Sequence, residues 1–508
     1  MKRFWTLLLA LVLTVSLLSG CSGSDSSSSD SSAVVSQQES EPVDDGPVEE
    51  VVMALFVAGA GNSSDVQMIE DAINEIIVEK INTRVKIEII AGSNYAQQMT
   101  LMLTGGEPLD LMVVTGAEFP TYVGREQIIG LNDLLDQYGA GIKEHVGNFL
   151  RATSVDGEVY AVPTIRDYSR GGGLNIRKDL LDKYGIDPSS LKSLEDMTEV
   201  FRVVKEGEGA DFYPLVIAGA GTSFLDNYRT VDTLNDSNGV LLNGGYDNTD
   251  VVLYEESEEY SNLLNLFWDW YQKGYIQKDI ATTTESYGSI MRTGNAMCWF
   301  TNCKPGIQQV AERNTGYEIE TVQFLDYFSF TGQVNSFSWA IAQNSSSPEA
   351  AMKFMNLMFS DVDVMTYLSY GLEDVHYVTQ ADGHVGYPEG EDQTTIGWSL
   401  NTSWLMGNQF LLPNWEGEPL DLWDKQKAAN DNARMSMALG FVFDNSNVTT
   451  EVAAVQSVRD EYKRVVENGA GDPAVLIPEY VAKLKANGIE RIISEKQSQL
   501  DAWIANQN

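Results

Sequence analysis

Apolar and polar positions along this chain follow two alternating rhythms. Val51-Val52-Met53-Ala54-Leu55-Phe56-Val57 is an unbroken apolar run, the mark of a short strand covered on both faces. Apolar residues then fall at 66, 69, 73, 76 and 77, which is helical spacing, and Ser64 with Gln67 predicts a capping box at the helix start. Arg84 to Ile90 alternates, with Val85, Ile87 and Ile89 on one side and Lys86 and Glu88 on the other. A helix over 95–103 and a strand from Leu109 to Val114 complete a β-α-β-α-β unit. Such a unit predicts an α/β fold with a parallel sheet, and ligands at the carboxyl ends of its strands.

The same α/β character recurs between about 170 and 345. Leu174-Asn175-Ile176 leads into a helix that starts at Lys178 and stops at Gly185. Leu215–Ala218 and Ala296–Phe300 read as short strands, and 252–273 as a helix rich in Leu, Phe and Trp. After 348 the pattern is mostly helical. Pro348 opens one helix, residues 450–468 carry a Val/Tyr stripe that ends at Gly469, and two more helices are predicted over 473–486 and 488–505. No internal repeat is present.

The first 50 residues obey neither rhythm. Lys2 and Arg3 precede an apolar run from Phe4 to Leu18, and Leu18-Ser19-Gly20-Cys21 resembles a bacterial lipobox. The pattern predicts a signal peptide over 1–20, cleavage before Cys21 and a lipid on its thiol. The run is short for a membrane span. The protein is therefore expected to be exported and anchored to the outer face of the cell membrane. Residues 21–50 hold no aromatic residue and are rich in Ser and Asp, so they read as a disordered linker. Its root-mean-square reach is roughly 30 Å.

The chain of 508 residues has a formal net charge of −40, which becomes two charges more negative when Lys2 and Arg3 leave with the leader. Phosphate-rich nucleic acid is repelled by such a surface. A highly anionic ligand is disfavoured too, unless a local basic pocket overrides the mean field. Cys298 and Cys303 stand five apart, and an exported protein leaves two readings open for them: a disulfide or two buried thiols. His145, His376 and His384 are the only histidines and there is no Cys-x-x-Cys pair, so no zinc site is expected.

At this point the order of segments resembles the extracellular solute-binding proteins of ABC importers, in particular the large group that binds carbohydrates. Gly106-Glu107-Pro108-Leu109-Asp110-Leu111-Met112 is similar to that family's turn and third strand. Ile129-Gly130-Leu131-Asn132-Asp133-Leu134-Leu135 and Asp156-Gly157-Glu158-Val159-Tyr160-Ala161-Val162-Pro163 resemble its next two segments. Arg177-Lys178-Asp179-Leu180-Leu181-Asp182-Lys183-Tyr184-Gly185 resembles its second-lobe helix, and Phe337-Ser338-Trp339-Ala340-Ile341 its return crossing. The segments 404–410, 438–444 and 472–503 resemble a Firmicutes lipoprotein subgroup with a C-terminal domain of unknown function.

The resemblance implies a two-lobed fold of the periplasmic-binding-protein kind, with hinge crossovers and a helical C-terminal region. Lobe 1 is expected from 51–162 plus 340–403, and lobe 2 from 163–339 plus 404–508. It implies a monomer that captures a sugar, expected to be an oligosaccharide, and delivers it to ABC permease subunits, with no cofactor and no reaction catalysed. Aromatic faces and amide or charged side chains hold sugars in such clefts. The 10 Trp, 22 Tyr and 18 Phe supply the rings. The candidates, placed at the cleft by the resemblance, are Asn62, Tyr95, Thr115 and Glu118 in the first lobe. Arg166, Asp167 and Tyr168 follow the first crossing, and Trp299 and Asn302 follow a second-lobe strand. Trp339 lies on the return strand, and Trp404, Asn408, Gln409 and Trp415 in a long connection.

Three rivals compete. Gly59-x-Gly61 lacks the third glycine of a dinucleotide turn. A secreted glycoside-active enzyme needs two carboxylates about 5–10 Å apart across a cleft, and no motif points to such a pair. The third is a ligand-binding partner of a membrane sensor.

Overall fold

A computed structural model describes residues 46–57, 62–219 and 221–506. Cys21, the leader, most of the linker and the Gly59-x-Gly61 turn lie outside the described residues. Among those described, no helix is long and apolar enough to cross a membrane.

Ten strands carry the architecture: β1 (Glu49–Val57), β2 (Thr83–Ala91), β3 (Leu111–Thr115), β4 (Val162–Pro163), β5 (Arg170–Arg177), β6 (Tyr213–Val216), β7 (Ala296–Cys303), β8 (Ile319–Ser329), β9 (Phe337–Ile341) and β10 (Arg434–Met435). The first sheet has the order β2-β1-β3-β9-β4. Its first three strands are parallel, and β9 runs antiparallel to both β3 and β4. The second sheet has the order β10-β8-β5-β7-β6. There β5 is antiparallel to both neighbours, whereas β7 and β6 are parallel. Each sheet carries its own apolar core.

Local chemistry explains the order. In β3, residues 111–114 are all buried, as the apolar run requires. Asp110 just before it accepts from the Val52 amide at 2.8 Å and from the Ser345 hydroxyl at 2.6 Å, which ties β1 and the chain after β9 to β3. In β5 the run Gly171-Gly172-Gly173 lets both neighbours approach closely. A Cβ on Gly173 would stand 2.1 Å from the Val322 carbonyl and 2.7 Å from Cys303 Sγ.

The chain passes between the lobes three times: at 164–169, at 330–336, and between Leu412 and β10. Buried polar groups knit these passages together. Asn430, on the helix Leu422–Asp431 of the third passage, donates to the Arg166 carbonyl at 2.7 Å and accepts from the Ser169 amide and hydroxyl, each at 3.1 Å. Ser329 donates to the Tyr168 carbonyl at 2.8 Å. The bridge between Ile165 and Asn408 adds backbone bonds to Gly407 and Gln409.

Several expectations change. Leu405, Met406 and Leu412 pack in the first core, so the stretch expected to open the last part of lobe 2 at 404 packs with lobe 1. The capping box of Ser64 and Gln67 does not form. The Ser64 hydroxyl turns to Asp65 and the Gly397 carbonyl, and Gln67 donates to Asp71. Cys298 and Cys303 are free and buried. They lie on one extended strand, at positions of opposite parity, so their side chains leave opposite faces roughly 16 Å apart along it. A disulfide cannot close that distance. Burial pushes the Cys303 thiol up to about 12 and that of Cys298 well above its ordinary value.

The C-terminal helices Thr449–Glu467, Pro473–Ala486 and Ile489–Asn506 complete lobe 2. Val455, Tyr462, Tyr480 and Ile492 enter its core. Glu467 closes the first of these helices and accepts from the Ser223 hydroxyl at 2.5 Å. Burial pushes its carboxyl up to about 7; Asp226 and Glu255 add to this, while Lys463 and Ser223 oppose it. A folded-state value above the unfolded one gives stability that is complete at low pH and is lost as pH rises from about 4.5 through about 7. Glu467→Gln, which retains an acceptor for Ser223, is expected to melt above the parent at pH 8. The gap, on the order of 3 kcal/mol at most, closes toward pH 4.5. Parallel melting curves across that range would show that Glu467 is not the titrating group.

Candidate ligand site between the lobes

Two adjoining cavities open where the passages meet. One, of about 380 Å³, is lined by Arg166 and Asp167 of the first passage, by Lys304, Gly306 and Val310 after β7, and by Phe337 at the start of β9. Trp404, Gln409, Glu418 and Trp423 complete its wall. The other, of about 370 Å³, is lined by Tyr370, Tyr387, Trp398, Trp404 and Trp415, with Glu416, Glu418 and Arg313. Trp404 and Glu418 belong to both.

The first cavity draws on both lobes because strand ends converge there. Lys304 follows the carboxyl end of β7, and Phe337 begins β9. Trp404 lies in the short helix Ser403–Met406, with its half-buried ring 4.6 Å from Phe337 and 6.4 Å from Phe56. Its indole N–H donates to the Asn401 carbonyl at 3.1 Å. The face left toward the cavity is a flat apolar plate. Trp423 stacks near Phe410, with ring centroids 5.8 Å apart.

Charge is organised around Asp167. Its carboxylate receives Arg166 and Lys304, each at 2.7 Å. Burial alone would raise its pKa, but Lys304 and Arg166 outweigh burial and hold it at about 2. Arg166 also donates to the Gln333 carbonyl at 3.0 Å and lies 5.8 Å from the Phe337 ring centroid. One guanidinium thus links two passages to Phe337 of the first lobe, and Lys304 joins the second lobe to it through Asp167.

Buried polar atoms normally find partners. Four that line these cavities have none among the described residues: Arg166 Nε and Trp423 Nε1 in one, Ser369 Oγ and Thr402 Oγ in the other. Stacking rings beside unpaired donors and hydroxyls suit a ligand with apolar C–H faces and many hydroxyls. A third cavity, in lobe 2 among Arg229, Glu255, Arg459 and Glu467, measures about 140 Å³. That is below the ~300 Å³ at which small-molecule pockets begin.

The structure gathers four of the sequence candidates here: Arg166, Asp167, Trp404 and Gln409, with Trp415 in the adjoining cavity. Others are committed elsewhere. Asn62 pairs with Ser399 through the backbone, and its amide donates to the Ile396 carbonyl at 2.7 Å. The Tyr95 hydroxyl joins β1 to β3, donating to the Ala54 carbonyl at 3.1 Å and accepting from the Val113 amide at 2.8 Å. Trp339 is fully buried, its N–H on the Leu405 carbonyl at 2.8 Å. Tyr168 is buried too, its hydroxyl on the Pro163 carbonyl at 3.1 Å. Asn408 caps the turn at Phe410 and donates to the Phe359 carbonyl. Trp299 is 2% exposed and stacks on Tyr287 at 4.4 Å inside lobe 2. Glu118 accepts from Thr115 at 2.8 Å, and Asn302 reaches Asn227 at 3.4 Å; neither lines the two cavities.

Sequence reasoning missed Lys304, Glu418, Trp423, Arg313 and the Tyr370–Tyr387–Trp398 group. Lys304-Pro305-Gly306, a turn directly after an apolar strand, was the one local signal available.

Residues 62–365 match the model of the bacterial extracellular solute-binding protein family, and residues 437–505 match a domain of unknown function. The chain is 26% identical over 451 residues to a carbohydrate ABC transporter substrate-binding protein of Streptococcus pneumoniae, covering 85% of this chain and 87% of that one. It is 28% identical over 204 residues to lipoprotein LipO of Bacillus subtilis, 39% of each chain. Among solved structures, the N-glycan transport solute-binding protein of Streptococcus pneumoniae superposes with a TM-score of 0.77 at 22% identity, covering 91% of this chain and all of that one. The structure of that protein in complex with Man5GlcNAc superposes with a TM-score of 0.63.

Proposed function

Since this chain belongs to the bacterial extracellular solute-binding protein family, we propose that it captures a sugar, an oligosaccharide, outside the cell and hands it to the permease subunits of an ABC importer. The observation that carries this is the pair of adjoining interlobe cavities, with Trp404 in both and unpaired polar atoms around it. The similarity to the pneumococcal carbohydrate ABC transporter substrate-binding protein supports it. The Cys21 lipid holds the protein at the outer face of the membrane. Cys21→Ala is expected to leave the membrane fraction or stay unprocessed; unchanged lipid labelling would remove the anchor from this reading.

No reaction is part of the proposal. A glycosidase needs a carboxyl that is protonated near neutral pH to assist the leaving group. Asp167, held at about 2 by two cations, is ionised there and has no proton to give.

Calorimetry of the full-length chain against Man1GlcNAc, Man5GlcNAc and a panel of neutral and acidic oligosaccharides tests the reading. A bound glycan is expected to raise the melting temperature and to make the particle more compact by small-angle scattering, as the lobes close on it. Absence of binding across the panel sinks the sugar assignment. Binding with no compaction sinks the closing cleft.

A further inference from the structure

The second interlobe cavity differs from the first in its back wall. One lobe-2 helix, Ile307–Thr315, runs along both cavities: Val310 lines the first, and Arg313, about one turn on, lines the second. Arg313 makes no hydrogen bond or ion pair among the described residues. Its Nη1 lies against the turn from Glu416 to Glu418, 3.7 Å from where a Cβ on Gly417 would stand. On the other side, Tyr370, Trp398 and Trp415 belong to the core of lobe 1 or pack on it. Trp415 lies between Tyr370 and Tyr387, with ring centroids 5.3 and 4.7 Å away.

The wall behind these rings is shut. His376 and Trp398 are buried. His376 Nδ1 accepts from the Leu372 amide at 3.0 Å, so the ring's proton is on Nε2, which donates to Asp65 at 3.2 Å. Ser399 is bridged to Asn62 through the backbone. A glycan that enters past Trp404 meets this wall. Two hydroxyls in it are unused. Thr402 stands just before the helix Ser403–Met406, where a threonine ordinarily caps the first turn, yet makes no capping bond. Ser369 lies within the helix Val362–Tyr370, where a serine ordinarily turns back to a carbonyl of the preceding turn. Thr402 and Ser369 are 1% and 8% exposed, and neither hydroxyl has a partner among the described residues. A buried hydroxyl without a partner costs stability; a ligand hydroxyl in the cavity removes that cost.

We propose that the second cavity is a subsite for the terminal unit of the glycan, read by the Ser369 and Thr402 hydroxyls and clasped from lobe 2 by Arg313, with the next unit across Trp404 in the first cavity. This rests on the sugar-binding reading and narrows it to oligosaccharides of two or more units that are recognised by a chain end.

The test is calorimetry and thermal melting of the full-length chain with ladders of manno-, chito- and malto-oligosaccharides from the single unit upward, together with Man1GlcNAc and Man5GlcNAc. In a ladder that binds, the longer members are expected to bind at least tenfold tighter than the single unit. Thr402→Val and Ser369→Ala should each weaken the bound glycan about fivefold. Without ligand both should melt at or above the parent, because each removes a hydroxyl that has no partner; a hydroxyl with a purely structural part would lower the melting temperature instead. Arg313→Gln should cost about tenfold in affinity and leave melting unchanged, since its side chain is exposed. A bulky aromatic tag, placed on one end of the bound glycan and then on the other, should abolish binding at one end at least. If Thr402→Val fails to fold, Ser369→Ala and the tags decide. A single unit that binds as tightly as the longer members, variants that all bind like the parent, or tolerance of both tags overturns the subsite and leaves the sugar reading standing. Binding to no ladder and to no member of the wider oligosaccharide panel overturns the sugar reading itself.

Discussion

Trp299→Ala is expected to cost about 3–5 kcal/mol of stability, as for a large ring removed from a packed core. Trp299 lies against Tyr287 and is 2% exposed, so truncation leaves a cavity that its neighbours fill only in part. Trp404→Ala should behave in the opposite way. Its ring is half-buried and faces the interlobe cavities, so melting should change little. Affinity for a bound oligosaccharide should fall at least tenfold, which is the loss of about 1.4 kcal/mol or more. Thermal melting and calorimetry on the two variants side by side separate a core ring from a binding ring. Loss of binding by a folded Trp299→Ala, or a Trp404→Ala that binds like the parent, would reverse the roles of the two rings.

The second large effect is expected inside lobe 2. Arg459, on the helix Thr449–Glu467, is buried and pairs with buried Glu255. It donates to Asn238 Oδ1 at 3.0 Å, to the Ser237 carbonyl at 2.8 Å and to the Tyr480 hydroxyl at 3.2 Å. Removing one member of such a pair leaves the other charge buried alone, at a cost of about 3–5 kcal/mol. Arg459→Met should therefore lower the denaturant midpoint sharply. The double variant Arg459→Met with Glu255→Leu should recover much of the loss, because no orphan charge remains. A double variant as unstable as the sum of the two singles would mean that the pair is not coupled.

The two tryptophans also show what could be read from sequence. The β1–β3 unit was legible because apolar runs and alternation survive burial unchanged. The strand at 296 was legible as well, but only to Phe300. Trp299 was assigned to the cleft because it sits near the end of that apolar run, beside Thr301 and Asn302, whose polar groups could reach a sugar's hydroxyls. The strand runs on to Cys303, so Trp299 is central and faces a core. Trp404, chosen for its polar neighbours, lines both interlobe cavities, yet Asn408 four residues later spends its side-chain oxygen on a cap. Lys304, Glu418 and Arg313 carry no periodic signal. Their approach to the cavities depends on how three distant segments meet, and single positions do not encode that.

The threefold passage between the lobes has a consequence for how the chain is made. β3 waits for β9, more than 220 residues later, before its second edge is paired, and β8 waits for β10 across a further hundred. Neither sheet reaches its final width until most of the polypeptide has emerged. Sequence-distant pairing of this kind slows folding, and an unpaired edge exposed in the meantime invites association with other chains. The order of synthesis therefore makes the nascent protein most vulnerable in the interval between residues 115 and 337, when β3 is complete and its antiparallel partner has yet to appear.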